Sequence, residues 1–221
     1  MISNETKTII WISVITIIIV AGGLYFWNTN PDAIAPGGQS VVVDRTQVVA
    51  TNSNINGLIT AKVIVTEFGD YECPACAVAH PITQALEEKY KDNPDVAFVF
   101  RNFPLPQHRH AMLSAQFAES AGLQGKFWEM HDILYEHQNE WLSLQNAEDI
   151  FTTYAINLGL DINKLKIDIK SDVVLDRINA DKTAVGILGI NSTPTFYVNG
   201  VKQSSWSMQE LSTAIDIALA E

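Results

Sequence analysis

The run Lys62-Val63-Ile64-Val65-Thr66-Glu67-Phe68-Gly69-Asp70-Tyr71-Glu72-Cys73-Pro74-Ala75-Cys76 decides how the chain is read. Lys62 to Phe68 is a short, β-branched apolar stretch stopped by the turn formers Gly69 and Asp70, the mark of a buried strand. A helix follows at once. Ala75 to Lys91 is rich in helix formers, with an apolar stripe at Val78, Ile82, Leu86 and Tyr90. Pro81 removes a backbone donor and crowds the carbonyl four residues back, so a kink near Ala77 is predicted. Val96 to Phe100 reads as a second buried strand, and strand, helix and strand at this spacing make a right-handed βαβ unit with parallel strands.

Toward the C-terminus, the stretch from about 110 to 188 lacks any comparable strand and reads as a helical insertion. Its amphipathic helices are broken near Gly122 and Gly125, Asn139, Gly159 and Ser171. Strand signals return at Thr195 to Val198, where Asn199-Gly200 is a strong two-residue hairpin turn leading back through Val201 to Gln203. Ser207 and Glu210 form a capping box for a last helix whose core stripe is Met208, Leu211, Ile215 and Leu219. The expected fold class is α/β, in the order βαβ, helical insertion, ββα.

Toward the N-terminus, Thr8 to Pro31 carries no charged side chain and Ile9 to Trp27 is almost wholly apolar. At 1.5 Å rise per residue that run spans about 28 Å, enough for a bilayer core of roughly 30 Å. Trp11 at one end and Tyr25, Phe26 and Trp27 at the other suit the two interfaces. The run is longer than the apolar region of a cleavable signal peptide, so the expectation is a retained anchor, although Ala33-Ile34-Ala35 has the small-x-small form of a cleavage site. The domains expected are a short cytoplasmic tail at 1–8, a transmembrane anchor at 9–27, a linker and N-terminal strand at 28–57, and the folded domain at 58–221. This anchor also explains why only 18% of the 221 residues are charged. Glu5 and Lys7 cancel, so the net charge of −11 belongs to the rest of the chain, which disfavours nucleic acid as a partner.

The chain has two cysteines, and both lie at the junction of the first strand and helix. A helix N-terminus offers free N–H groups and the positive end of the dipole, which stabilise a thiolate. Pro74 suits the first helical position, so Cys73 stands at the cap and Cys76 one turn further in. The first sulfur is expected to be exposed and acidic, the second shielded. In such motifs a thiol pKa near 8.5 drops to between about 3.5 and 7, making the sulfur a good nucleophile and a good leaving group. Exchange follows: a substrate thiolate attacks the oxidised pair at Cys73, a mixed disulfide forms, and a second substrate thiol resolves it. A metal site with His131 and His137 is disfavoured by their distance along the chain, and a structural staple by the short loop it would close. No metal is expected, and no cofactor beyond a redox-active Cys73–Cys76 disulfide.

With these residues in place, the chain resembles the DsbA-like thiol:disulfide oxidoreductases of the thioredoxin superfamily over about residues 58 to 221. The resemblance is carried in order by Glu67 to Cys76, Arg101-Asn102-Phe103-Pro104-Leu105, Gly125-Lys126-Phe127-Trp128-Glu129-Met130-His131-Asp132 and Thr193-Pro194-Thr195-Phe196. It implies a thioredoxin fold with an all-helical insertion, Cys73 as nucleophile, Cys76 as resolving thiol, and Pro194 as a cis proline facing the motif. The Thr193 backbone is then expected to pair with an extended substrate beside Pro74 and Ala75. Glu67 resembles the buried acid that relays protons to the resolving thiol in this family, a task helped by a burial-raised pKa. The alternative for Glu67 is a strand-end carboxylate reaching solvent. His80 is expected on the helix surface, and His108, Arg109 and His110 as capping and solvated groups at the start of the insertion.

Exchange-competent thiols belong in an oxidising compartment, so the domain is placed on the extracytoplasmic side of the cell membrane, single-pass and anchored. The expected partners are cysteine-containing secreted or membrane proteins as substrates and a quinone-linked membrane protein that reoxidises the pair. Dithiol oxidation is the first reading, a disulfide reductase or isomerase the second. A tethered, redox-inactive binding protein or chaperone is a third, which the intact Cys73/Cys76 pair disfavours. Pro74-Ala75 is not the Pro-His dipeptide of the best-known oxidases, so their strongly oxidising potential does not carry over by resemblance.

Overall fold

The structure, a computed structural model, describes residues 42–50 and 53–221; the span read at 9–27 and the linker as far as residue 41 lie outside them. A short helix α1 (Arg45–Val48), which the sequence reading treated as linker, is closed by a capping box between Asp44 and Gln47. Strand β1 (Asn54–Asn56) precedes the predicted βαβ unit, which forms as β2 (Val63–Gly69), α2 (Pro74–Tyr90) and β3 (Val96–Asn102). The insertion contains α3 (Ala111–Gly122), α4 (Phe127–Glu136), α5 (Gln138–Trp141), α6 (Glu148–Asn157), α7 (Ile162–Asp168) and α8 (Asp172–Ile187). Strands β4 (Thr195–Val198) and β5 (Val201–Lys202) and helix α9 (Met208–Ala220) complete the chain. No helix among the described residues is long and apolar enough to cross a membrane.

The sheet runs β1-β3-β2-β4-β5, with β2 parallel to β3 and antiparallel to β4. Both central strands are buried along their whole length, as apolar runs flanked by helices demand. On one face, Val63, Val65, Phe98, Phe196 and Val198 pack against Ala79 and Leu86 of α2 and Leu211 and Ile215 of α9. The insertion has its own core of Phe117, Met130, Leu134, Trp141, Phe151 and Leu165, and this core is continuous with Cys73 and Cys76. A buried polar cluster ties the insertion to the sheet. Arg101 Nε donates to Asp181 Oδ1 at 2.7 Å, and Asn102 Nδ2 donates to Glu119 Oε1 at 2.7 Å. The Arg101-Asn102 pair thus links the end of β3 to α8 and α3.

Several local expectations change. The buried face of α2 is Cys76, Ala79, His80, Thr83, Leu86 and Tyr90, while Val78 of the predicted stripe is exposed. The helix lies against both the sheet and α4, and small or polar residues fill the close approach, so counting large apolar residues turned the face by a position. His80 is buried, not on the surface, and His110 is buried with its Nε2 2.9 Å from the Leu144 carbonyl. The break expected near Asn139 falls at His137, between α4 and α5. At α9 only half of the capping box forms: Ser207 Oγ accepts from the Glu210 N–H, but the Ser207 N–H goes to Ser205 Oγ. The Asn199-Gly200 turn has φ of 46° and 82°, both positive as a type I′ hairpin requires.

Candidate active site

The turn from β2 into α2 carries both cysteines, and its shape is fixed by side chains spread along the chain. Asp70 is fully buried: its Oδ1 accepts from the Glu72 N–H at 2.8 Å, and its Oδ2 lies 2.8 Å from both the Leu105 N–H and His108 Nδ1. Burial raises the Asp70 pKa even though those donors favour its ionised form. Gln138, from the insertion, donates through Nε2 to the carbonyls of Tyr71 at 2.7 Å and Cys73 at 3.1 Å. Gly69 is required by close approach: a Cβ there would come within 2.5 Å of the Phe100 ring and 2.9 Å of the Tyr135 hydroxyl. Apart from the local Asp70–Glu72 turn, these contacts join residues tens of positions apart, which local sequence signals do not reveal.

Cys73 is the N-cap of α2 and Pro74 its first residue. Both sulfurs are free thiols. Cys73 is less open than the sequence suggested, at 7% exposed, but Cys76 behind it is completely enclosed. The Gln138 bond and the insertion core pull the cap inward. Four influences set the reactivity of Cys73, one of them the Thr193 side chain, which favours the thiolate. The Cys76 thiol donates to its sulfur, burial opposes ionisation, and the N–H groups of Cys76 and Ala75 at the helix start favour it. The Cys76 thiol, the Thr193 side chain and the helix-start N–H groups together prevail over burial and bring its pKa from 9.0 to about 5. Burial pushes Cys76 the other way, well above an ordinary thiol, reinforced by its bond to Cys73 and the charge of Glu67.

Glu67 sits on β2, between Phe100 and Phe196 of the neighbouring strands, and is 5% exposed. The solvent-reaching alternative is therefore excluded by position. Desolvation raises its pKa to about 8, helped by the nearby Glu87 carboxylate and opposed by the Thr83 hydroxyl. Its Oε1 has no protein partner and faces a cavity of about 10 Å³, room for a single water, lined also by Thr83 and Glu87. Glu87 is itself lifted to about 7, chiefly by burial. The Thr193–Pro194 bond is cis, and the Cys73 thiol lies 3.6 Å from the Thr193 carbonyl. Pro194 borders a surface pocket of about 270 Å³ with Thr195, Gln203 and Trp206. Thus Cys73, Cys76, Glu67, Thr193 and Pro194 converge from three parts of the sequence, with Pro74 and Ala75 forming the start of α2 between the sulfurs. Arg109 and His137 stay outside this site, each paired with insertion residues: Arg109 with Leu144 and Gln145, His137 with Glu140.

A model of the thioredoxin family matches residues 50–217 of the chain. Among curated proteins, a Na(+)/H(+) antiporter NhaA 1 of Salinispora arenicola is 37% identical over 169 residues, covering 76% of this chain and 25% of the antiporter. A Na(+)/H(+) antiporter NhaA 3 of Salinispora tropica is 33% identical over 190 residues, covering 85% of this chain and 28% of its own. The chain therefore spans about a quarter of the length of these relatives. Among solved structures, a thioredoxin-like oxidoreductase from Silicibacter pomeroyi DSS-3 is 26% identical with a TM-score of 0.67, covering 81% of this chain and 99% of that one. BdbD from Bacillus subtilis in its oxidised form is 23% identical with a TM-score of 0.73, covering 83% and 100%. Alpha-DsbA1 from Wolbachia pipientis is 20% identical with a TM-score of 0.69, covering 78% and 94%. The last two bear on the fold alone.

Proposed function

The chain belongs to the thioredoxin family, and from that premise we propose that it is a DsbA-like thiol:disulfide oxidoreductase that works as a membrane-anchored dithiol oxidase outside the cytoplasm. The observation that carries the direction of electron flow is the contrast between the two sulfurs. Cys73 is held near pKa 5 at a helix start, while Cys76 is enclosed and kept protonated. A pair whose attacking thiolate is that well stabilised favours the dithiol form, so its disulfide gives up oxidising equivalents readily.

In the forward reaction a substrate thiolate attacks Cys73 of the oxidised pair, and the S–S bond breaks toward Cys76. Cys76 leaves as a thiolate and takes up a proton, for which Glu67 beneath it is the donor. A second substrate thiolate then attacks the substrate sulfur of the mixed disulfide. Cys73 leaves as the stable thiolate, and the substrate departs oxidised by two electrons. The Thr193 backbone, beside Pro194, is the edge on which the substrate peptide lies, and Pro74 and Ala75 border its cysteine. No metal or bound cofactor takes part in these steps. Residues 9–27 would hold the domain at the outer face of the membrane, within reach of secreted or membrane-protein thiols and of a quinone-linked reoxidising partner. The transport named for the antiporter relatives belongs to chains of which this one matches a quarter.

The test is equilibration of the Cys73/Cys76 pair with reduced and oxidised glutathione. A potential near −120 mV supports the oxidase, and one near the −270 mV of thioredoxin overturns it in favour of a reductase.

A further inference from the structure

Two turns along α2 from Cys73, His80 faces the insertion and meets His131 and Asp132 of α4. One donor atom from each of these three residues lies within 4.8 Å of the other two. His80 Nε2 stands 3.6 Å from Asp132 Oδ1, close to the ~3.4 Å edge of a tetrahedron with metal bonds near 2.1 Å. The two imidazole rings lie 5.3 Å apart at 65°. At 3.6 Å the His80–Asp132 contact is too long for a hydrogen bond, so His80 Nε2 has no partner, although His80 is only 4% exposed. A polar atom left bare in a core is destabilising, and an apolar side chain would remove that cost. Nothing in thiol exchange at Cys73 uses these three groups.

The geometry points to a binding site for a divalent transition cation of the Zn²⁺ kind, held by His80, His131 and Asp132. Two imidazoles and one carboxylate are a borderline donor set that suits Zn²⁺ and its neighbours, whereas Mg²⁺ and Ca²⁺ prefer oxygen alone. Burial keeps both rings neutral, His80 near 4 and His131 well below its usual value, and the neutral ring is the form that binds metal. Around them lie Glu129 and Glu136, whose charges, after burial, raise Asp132 to about 6 and would be relieved by a cation. The Tyr71 hydroxyl, 3.1 Å from His131 Nδ1, orients that ring as an outer partner does in metal sites. A way in exists: Asp132 is half-buried, and His80 also lines an open pocket of about 500 Å³ with Gln84, Glu136 and Pro74. The fourth position falls to water from that side. A cation here would pin the active-site helix to the insertion.

Because the free Cys73/Cys76 thiols would also take up zinc, the test uses the full chain with that pair oxidised. Co²⁺ titration followed by visible absorption, then displacement by Zn²⁺, is expected to show one equivalent bound in a tetrahedral field. His80→Gln and Asp132→Asn are each expected to weaken Zn²⁺ binding by at least about tenfold. Zn²⁺ should raise the melting midpoint of the oxidised wild type and not of either variant. Asp132 is half-buried, so Asp132→Asn keeps the test open if His80→Gln does not fold. Failure of the oxidised chain to bind Co²⁺ or Zn²⁺, or equal affinity in a folded variant, overturns the site. Uptake confined to the reduced chain overturns it too, assigning the metal to the cysteines.

Discussion

Titrating the reduced protein from about pH 4 to about pH 9 should ionise Cys73 near pH 5, and Cys76→Ala should move that midpoint upward. The Cys76 thiol is the largest single influence holding the Cys73 pKa down from 9.0, and the N–H groups of the helix start remain when it is gone. The variant midpoint should therefore rise and still stay below an ordinary thiol. At pH 7 a thiol of pKa 9 is about 1% ionised and one of pKa 5 about 99%, so of the four-unit shift only the two units between pH 5 and pH 7 count, about 2.7 kcal/mol in favour of the reduced form. Solvent at the mouth of the site screens part of this, leaving about 1.4 kcal/mol at the low end. With about 30 mV for each 1.4 kcal/mol, the pair should be about 30–60 mV more oxidising than one with an ordinary first thiol. The sign for stability follows from a depressed pKa. The contribution to the reduced fold is complete above pH 9 and is lost as pH falls through 5. Thiolate absorbance near 240 nm reads the midpoint, and glutathione equilibration the potential. A wild-type midpoint at about pH 8 or above, or equal midpoints for the two proteins, would refute the reasoning.

Glu67→Gln should stabilise the fold at pH 7, because the buried carboxyl has a folded pKa of about 8 against 4.5 unfolded. Its favourable contribution is complete below pH 4.5 and lost as pH rises through 8, about 3 kcal/mol of it by pH 7. Urea unfolding of both proteins at low and neutral pH should show a gap that widens with pH, and slower exchange by the variant would tie the same carboxyl to proton delivery at Cys76. Gln138→Ala should cost about 1–3 kcal/mol, since it strips the donor from the buried Tyr71 and Cys73 carbonyls, and should slow exchange by loosening the cap. Gly200→Ala should destabilise by about 1–3 kcal/mol, because its Cβ would come within 2.1 Å of the Val43 carbonyl oxygen at a φ of 82°. Phe117→Ala, in the core of the insertion, should cost about 3–5 kcal/mol in denaturant unfolding.

The element order was legible because its cues are local. A β-branched run ending in Gly69-Asp70, the Asn199-Gly200 turn and the Ser207 cap each act within a few residues, and each formed close to where it was read. The cysteine pair was legible for the same reason: Pro74 starts α2 and puts Cys73 at the cap. Helix orientation was not. Large apolar residues on α2 pointed to Val78, but the helix packs on two sides and buries His80 and Thr83 instead. The isolated helix α1 was missed because Arg45 to Val48 has no apolar periodicity to announce it.

By itself the sequence determined the α/β class, the helical insertion and a reactive dithiol at a helix start, because spacing and turn chemistry are properties of neighbouring residues. Only the tertiary structure decided how far Cys73 is enclosed, that Asp70 and Gln138 hold its turn, and that Glu67 is buried over a one-water cavity beside Glu87. It alone brought His80 to His131 and Asp132. Burial and charge proximity depend on which distant segments pack together, and these set the pKa values that leave one sulfur a thiolate and keep the other a protonated thiol.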